Sequence, residues 1–293
     1  MRSAFEIVKN SIIAFAEAQG PRLAAGLSYY TIFSLAPLLI ILVAVLGIFF
    51  GHAEARLELM AALNEQAGPG IASFVEGLIS ATAQENSRLA TIIGIGILVF
   101  ASTNLFTAMQ GALNAIWQVE RVRDNGIVRI LLSRLLSLGL VAVLAVIGVL
   151  ALAAQTALGW AADTLAEVVP GIGFLIGLGG ELLILTVITV AIMAVHKILV
   201  HNLVGWQPLI VGALATAILF RVGQTLISLY LTTSAVGSAF GAAGSLVALL
   251  LFVYYSMQIF LLGTAFTREY SRSLDENSGL DDASGAAGSA SAN

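Results

Sequence analysis

Six stretches of the chain contain no Asp, Glu, Lys or Arg, and short charged segments separate them. A helix needs about 20 mostly apolar residues to cross roughly 30 Å of hydrocarbon, and most of these stretches are that long. The last one, Val222–Thr267, is too long for one helix. The pattern therefore predicts an all-α polytopic membrane protein, a bundle of six transmembrane helices. The predicted spans lie near residues 24–50, 90–117, 136–160, 172–196, 207–231 and 245–267.

The segment before the first span has a different pattern. Phe5, Val8, Ile12 and Phe15 fall at helical spacing among charged residues, which indicates an amphipathic helix on the cytoplasmic membrane surface. The segment has no continuous apolar core and no small-residue cleavage site, so we expect no cleavable signal peptide. We therefore separate residues 1–22 from a transmembrane domain at residues 23–272.

Residues 52–88, between the first two spans, have a helical periodicity of their own. Gly68-Pro69-Gly70 breaks the chain within this segment. Apolar residues then recur at i, i+3, i+4, i+7 and i+8: Ile71, Phe74, Val75, Leu78 and Ile79. We predict an outer excursion of two short helices that lie on the outer surface or cap the bundle.

Composition agrees with a membrane protein. The chain is 59% hydrophobic and 10% charged, whereas roughly 25% of a soluble domain is charged. The absence of cysteine excludes disulfides and cysteine chemistry. Residues 273–293 are acidic and rich in Gly, Ala and Ser, so we expect a disordered cytoplasmic tail.

The distribution of basic residues predicts the orientation. If both termini are cytoplasmic, only Arg56 and Arg88 fall on the outer side, and Arg221 falls within a span. The inner segments then hold the remaining basic residues: Arg2, Lys9, Arg22, Arg121, Arg123, Arg129, Arg134, Lys197, Arg268 and Arg272. Short basic inner loops orient helices during insertion, so this bias favours six spans with both termini inside.

Polar side chains form stripes within three of the predicted spans. In the first span, Tyr30, Ser34 and Pro37 share one face, and Pro37 frees a backbone carbonyl. The other stripes lie in the cytoplasmic halves of spans two and six: Thr103, Thr107, Gln110 and Asn114, with Asn104 beside them, then Tyr254 and Gln258. Each stripe alone is explained by hydrogen bonding between packed helices. Several at one depth predict a hydrated pocket open to the cytoplasm.

Two charged residues lie within spans. At 1.5 Å per residue, Glu181 and Arg221 lie roughly 24 Å and 21 Å from the inner face. Unpaired charges at such depth are costly, so we predict that the two residues pair or share a hydrated cavity. Alternatively, Arg221 reaches outward along the membrane or Glu181 lies at the outer interface.

The sequence offers little for catalysis. Its histidines are His52, His196 and His201, and they form no metal-ligand cluster with carboxylates. We therefore expect no catalytic residue, metal site, cofactor or nucleic-acid partner, and no ATP-binding motif is present. The basic segment 120–134 is explained by topology, or alternatively by binding of anionic lipid headgroups, and the expected partners are membrane lipids.

Four segments resemble a known family. They are "AAGLSYYTIFSLAPLL" (24–39), "LFTAMQGALNAIW" (105–117), "HKIL" followed by "WQPLIVGALATAILF" (206–220), and "SAFGAAGSLVALLLFVYYSMQIFLLGTAFTREY" (238–270). Together they resemble the YihY/BrkB family of bacterial inner-membrane proteins, historically called virulence-factor or ribonuclease BN-like proteins. The resemblance implies six transmembrane helices, cytoplasmic termini and an inner-membrane location. Ala265 stands where the family tends to have Glu, and Phe252 stands near the position where a Trp often precedes the tyrosine pair.

Two functions from different classes are compatible with these features. The first is a transporter or permease-like protein that moves a small solute, ion or lipid through a polar cavity. The alternative is a non-transporting scaffold of the cell envelope, which a dry, sealed bundle would favour. The ribonuclease label is disfavoured because the chain lacks the metal ligands that such chemistry needs. Oligomeric state and substrate cannot be read from these residues.

Overall fold

The structure, a computed structural model, describes residues 3–34, 51–67, 69–83, 88–119, 127–166, 172–199, 204–233 and 244–290. Regular structure in these ranges is entirely α-helical. The helices are α1 (Ala4–Glu17), α2 (described over 20–34), α3 (His52–Ala67), α4 (Pro69–Ala83), α5 (Arg88–Trp117), α6 (Ile127–Ala166), α7 (Ile172–Leu199), α8 (Trp206–Thr233) and α9 (Gly244–Ala290).

Three helices in the described part of the chain are long and apolar enough to cross a membrane. They cover Gly173–Leu199, Trp206–Ile227 and Gly244–Glu276, which correspond to predicted spans four, five and six. α5 and α6 coincide with predicted spans two and three and are 30 and 40 residues long. Residues 35–50 of the first predicted span, Pro37 among them, lie outside the described residues. The all-helical class is confirmed, and the count of six spans stays a prediction.

The chain turns sharply between α1 and α2. α1 begins with a capping box, in which the Ser3 hydroxyl accepts from the Glu6 N–H and the Glu6 carboxylate accepts from the Ser3 N–H. At the other end, Gln19 has φ of 55°, in the left-handed region. A Cβ on Gly20 would overlap the ring of Phe15, so glycine is required at this corner.

α1 uses one face to pack within the chain and leaves another exposed. Ser11 and Ala14 are buried and α1 packs against α9. Three residues of the predicted apolar stripe, Phe5, Val8 and Ile12, are exposed, whereas the fourth, Phe15, is partly buried and packs against the cluster that contains Ala14. An exposed apolar stripe on an amphipathic helix is typical of a helix that lies on a membrane. The structure contains no membrane, so that location stays a prediction.

Two helices occupy the predicted outer excursion. α4 begins at Pro69, the first-turn position at which proline costs no hydrogen bond. Ile71, Val75 and Ile79 are buried against Leu249 and Val253 of α9, so the apolar periodicity of α4 packs onto the bundle.

A charged contact joins α3 to α4. Arg56 donates hydrogen bonds to both carboxylate oxygens of Glu76 and to the Ser80 hydroxyl. The hydrogen bonds to Glu76 raise the pKa of Arg56, and partial burial opposes that rise.

α9 extends beyond the last predicted span, and its helix is described to Ala290. The side chains after Glu276 lie outside the described residues. The disordered cytoplasmic tail at residues 273–293 therefore stays a prediction.

Candidate functional site

A groove of about 440 Å³ lies between α2 and α5. It is open along one side, and small residues create its space, because a Cβ added to Gly26 would meet nothing within 4 Å. Six residues of α2 and its preceding corner and three of α5 line it: Gln19, Arg22, Leu23, Gly26, Leu27, Tyr30, Ala108, Gly111 and Ala112.

The groove is polar at one end and mostly apolar along its walls. Arg22 lies at the start of α2 and donates a hydrogen bond of 3.1 Å from Nη1 to Oε1 of Gln19. Arg22 is exposed. Tyr30 lies two turns further along α2 and also lines the groove. The groove therefore offers one cation and a chain of apolar contacts, the complement of an amphipathic anion.

The predicted α2 stripe is only partly in this groove. Tyr30 lines it, whereas Ser34 is buried and donates to the carbonyl of Thr31 at 2.9 Å. Ser28 and Thr31 likewise donate to carbonyls one turn earlier in the same helix. These hydroxyls are therefore satisfied without a cavity.

On α5, the predicted stripe borders the groove by register. Asn104 and Thr107 precede Ala108 and Gly111 by one turn on the same faces of the helix. Thr107 donates to the carbonyl of Thr103. Two further stripe residues are half-buried on the same helix: Gln110 and Asn114.

α9 contributes to the same region of the molecule. Tyr254 packs against an apolar cluster that contains Leu27 of α2 together with Ala112 and Ile116 of α5. Gln258 lies one turn further along α9 and is half-buried. The helices that carry the three predicted stripes thus pack around one cluster, as a shared pocket would require.

Glu181 and Arg221 form the predicted pair. Arg221 donates from Nη2 to Oε1 of Glu181 at 2.6 Å and from Nε to Oε2 at 3.0 Å, a bidentate arrangement. Gln224 accepts from Nη1 of the same guanidinium at 3.4 Å.

The pair is not a wall of the groove. It joins α7 to α8, whereas the groove is built by α2 and α5. The Glu181 and Arg221 side chains are 58% and 30% exposed, on the outer face of the described chain. Of the two predicted arrangements, the structure therefore shows the ion pair and not a cavity shared by the two charges.

A buried histidine links α7 to α9, which the sequence analysis missed. Nδ1 of His196 lies 2.9 Å from the carbonyl of Ile192, and Nε2 lies 3.1 Å from Oγ1 of Thr264. At the next residue, the ammonium of Lys197 lies 4.8 Å from the ring centroid of the exposed Trp206.

Arg268 is the second residue that the sequence analysis missed. It is buried and donates to the carbonyl of Ile116 at 2.8 Å and to Oε1 of Gln118 at 2.7 Å. The last carbonyls of a helix lack partners within the helix, so Arg268 of α9 caps α5. Its Nε lies 3.8 Å from a carboxylate oxygen of Glu269.

The position at which this chain departs from the family pattern is tightly packed. Ala265 is fully buried in the cluster formed by α1, α2, α5 and α9, with Ala14 and Ala24 beside it. A methyl group suits this environment, and a carboxylate would need a partner there.

Within the described residues, no group of three His, Asp or Glu side chains is arranged to hold a metal ion. The side chains of segment 120–134 lie outside the described residues, so lipid binding there stays a prediction.

An all-helical fold with long apolar helices defines an α-helical membrane protein. A family model described as "Virulence factor BrkB" matches residues 12–286, so the chain belongs to the BrkB virulence-factor family. This confirms the resemblance inferred from the sequence motifs.

Curated relatives are named only as membrane proteins. A UPF0761 membrane protein of Nitrosospira multiformis is 28% identical over 265 residues, which cover 89% of this chain and 59% of the relative. Relatives of the same name from Psychromonas ingrahamii and Pseudoalteromonas translucida are each 28% identical, with 87% and 83% of this chain and 85% and 79% of the relative covered. No solved structure matches the chain.

Proposed function

We propose that this protein is a permease-like membrane protein of the bacterial inner membrane, with cytoplasmic termini, that accepts an amphipathic anion in the α2–α5 groove. The observation that carries the proposal is the groove itself, an open space of about 440 Å³ with a guanidinium at one end and small apolar residues along its length. In the predicted orientation, Arg22 lies at the cytoplasmic surface, where the groove would admit its substrate.

The surrounding helices support this assignment. Asn104 and Thr107 extend the α5 wall beyond the groove, and Tyr254 of α9 packs against the cluster beneath it. A substrate that leaves the groove would therefore meet polar side chains next. Glu181 and Arg221 lie outside this path, so the proposal does not depend on them.

The test is a liposome transport assay with the purified full-length chain. We expect translocation of an anionic amphiphile, screened as fluorescent anionic phospholipids, organic carboxylates and inorganic anions, above the rate in empty liposomes. Gly26→Trp places a large ring in the groove and should lower the rate roughly tenfold or more, because the ring occupies the space that a substrate would need. Arg22→Gln should weaken binding of anionic but not zwitterionic substrates.

Gly139→Trp is the matched control. Gly139 lies on α6 and also has open space around an added Cβ, so this variant adds the same ring away from the groove. Equal rates for Gly26→Trp, Gly139→Trp and the unmodified chain would contradict the groove assignment. Absence of any translocation over the whole screen would favour the envelope scaffold instead.

A further inference from the structure

The outward face of α7 and α8 combines a charged pair with exposed apolar side chains. Glu181 and Arg221 lie side by side on this face. Leu178 and Leu182 of α7 and Val222 of α8 lie within three residues of the pair in the chain and are exposed, as are three more residues of α8: Ile218, Leu226 and Leu229. We call these residues the α7–α8 face.

Lipid is a poor covering for this face. Ionisable side chains within spans almost always face protein or a water-filled cavity, because acyl chains cannot replace the hydration of a carboxylate. Pairing neutralises the net charge, yet more than half of the Glu181 side chain remains uncovered. Its carboxylate oxygens therefore retain acceptor capacity that hydrocarbon cannot satisfy.

The backbone of α7 beside Glu181 is also open to close approach. Gly173, Gly177 and Gly180 follow one another at i, i+4 and i+7, and Gly177 lies one turn before Glu181. Added Cβ atoms at these three glycines would meet nothing within 4 Å, so no helix in the described part of the chain uses the space. Small residues in this pattern permit a second helix to pack closely in a membrane.

The charges of the face are complementary to themselves. A carboxylate from α7 and a guanidinium from α8 lie at the same depth, side by side. Consider two copies related by a two-fold axis along the membrane normal. The carboxylate and the guanidinium of one copy then lie opposite the guanidinium and the carboxylate of the other, so opposite charges meet. A lipid or an uncharged partner helix would leave this complementarity unused.

We propose that the α7–α8 face is the interface between two copies of this chain. In the dimer, Glu181 and Arg221 of both copies form a closed ring of four alternating charges, and the exposed leucines exclude lipid around it. The glycines of α7 admit the partner helix. The proposal is independent of the α2–α5 groove, which lies on other helices.

Cross-linking of the full chain in native membranes tests the interface. The natural chain has no cysteine, so a single introduced thiol reports one position. Three variants place the thiol on α7: Gly177→Cys, Leu178→Cys and Leu182→Cys. In at least one of them, the yield of disulfide-linked dimer should be about fivefold higher than for Leu150→Cys. The reason is that disulfides need the two Cα atoms to lie roughly 5–6 Å apart. Leu150 of α6 is a matched control, since Leu150 and Leu182 are both 63% exposed.

Charge reversal tests the role of the pair. Glu181→Arg gives a copy with two positive charges on the face, and Arg221→Glu gives a copy with two negative charges. When the two variants are co-expressed with different affinity tags, each should capture the other several-fold more than it captures its own kind. The double variant Glu181→Arg/Arg221→Glu should self-associate as the unmodified chain does.

Two results would overturn the proposal. One is cross-linking of the α7 cysteines no greater than that of Leu150→Cys, together with a monomeric mass in lipid nanodiscs. The other is equal capture of like and unlike charge variants, since the charged ring requires a preference. The cysteine variants are conservative, so misfolding of the charge variants would leave the first test intact.

Discussion

At the scale of single residues, hydroxyl groups on several of these helices form hydrogen bonds within their own helix. Threonines and serines on these helices donate to carbonyls one turn earlier, as Thr216 does to Gly212 and Ser256 to Phe252. Such residues satisfy themselves, so a stripe of them does not by itself indicate a cavity. The sequence therefore predicted which faces are polar, and it could not tell hydroxyls that are hydrogen-bonded within their own helix from Tyr30, which lines the groove.

The charged residues show the same limit. The depths of Glu181 and Arg221 could be calculated from residue spacing, and the two residues do pair. Which way the pair faces depends on how α7 and α8 pack, which spacing alone does not determine. Arg268 was missed for a related reason, because its partners Ile116 and Gln118 are about 150 residues away in the chain.

Arg268 should be more important for stability than its neighbour Arg272. Arg268→Leu removes the cap from α5 and leaves the Ile116 carbonyl buried without its partner, at a cost of about 1–3 kcal/mol. Arg272→Leu removes a 3.4 Å ion pair between a half-exposed guanidinium and Glu269, and it should change the free energy of unfolding by less than about 1 kcal/mol. Thermal unfolding in detergent, followed by tryptophan fluorescence, compares the two. Equal midpoints would contradict the capping role.

At the scale of elements, α8 and α9 approach through two matched glycine–threonine pairs. A Cβ added to Gly212 would overlap the Thr267 side chain, and one added to Gly263 would overlap Thr216. Each threonine in turn donates to the glycine carbonyl one turn earlier in its own helix. Neither glycine could be matched to its threonine from the sequence, because the pairing of two helices that are distant in the chain is a property of the fold.

Alanine at either glycine should therefore disturb the packing of these helices. Gly212→Ala and Gly263→Ala should each destabilise the protein by about 1–3 kcal/mol through overpacking. Gly139→Ala has open space and should be neutral or stabilising by up to about 1 kcal/mol, because alanine favours helix. Combining Gly212→Ala with Thr267→Ala should recover part of the loss. If the Gly139 variant is as destabilised as the others, the close approach is not the cause.

At the scale of the whole molecule, the groove, the charged pair and the exposed apolar stripe lie on different helices. The groove lies on α2 and α5, the charged pair on α7 and α8, and the exposed apolar stripe on α1. Hydropathy and charge segregation were enough to predict an all-helical membrane protein, and four sequence motifs carried the resemblance to its family. The arrangement of these sites around the bundle required the structure.

The exposed stripe of α1 predicts how the molecule meets the membrane. A spin label at Ile12→Cys should be accessible to oxygen and protected from a polar nickel chelate, as expected 5–10 Å below the headgroups. A label at Glu17→Cys, an exposed position away from the stripe, should show the opposite preference. Electron paramagnetic resonance in liposomes makes the comparison. The same accessibility at both positions would mean that α1 does not lie on the bilayer.

The corner at Gln19 and Gly20 has a mechanical consequence. α1 is packed against α9, and only Ala18 and Gln19 separate it from α2, with the ring of Phe15 closing over Gly20. The start of α2 is thereby tethered to the last helix of the bundle. A tilt of α2 about Gln19 would change the width of the groove more beside Tyr30 than beside Arg22.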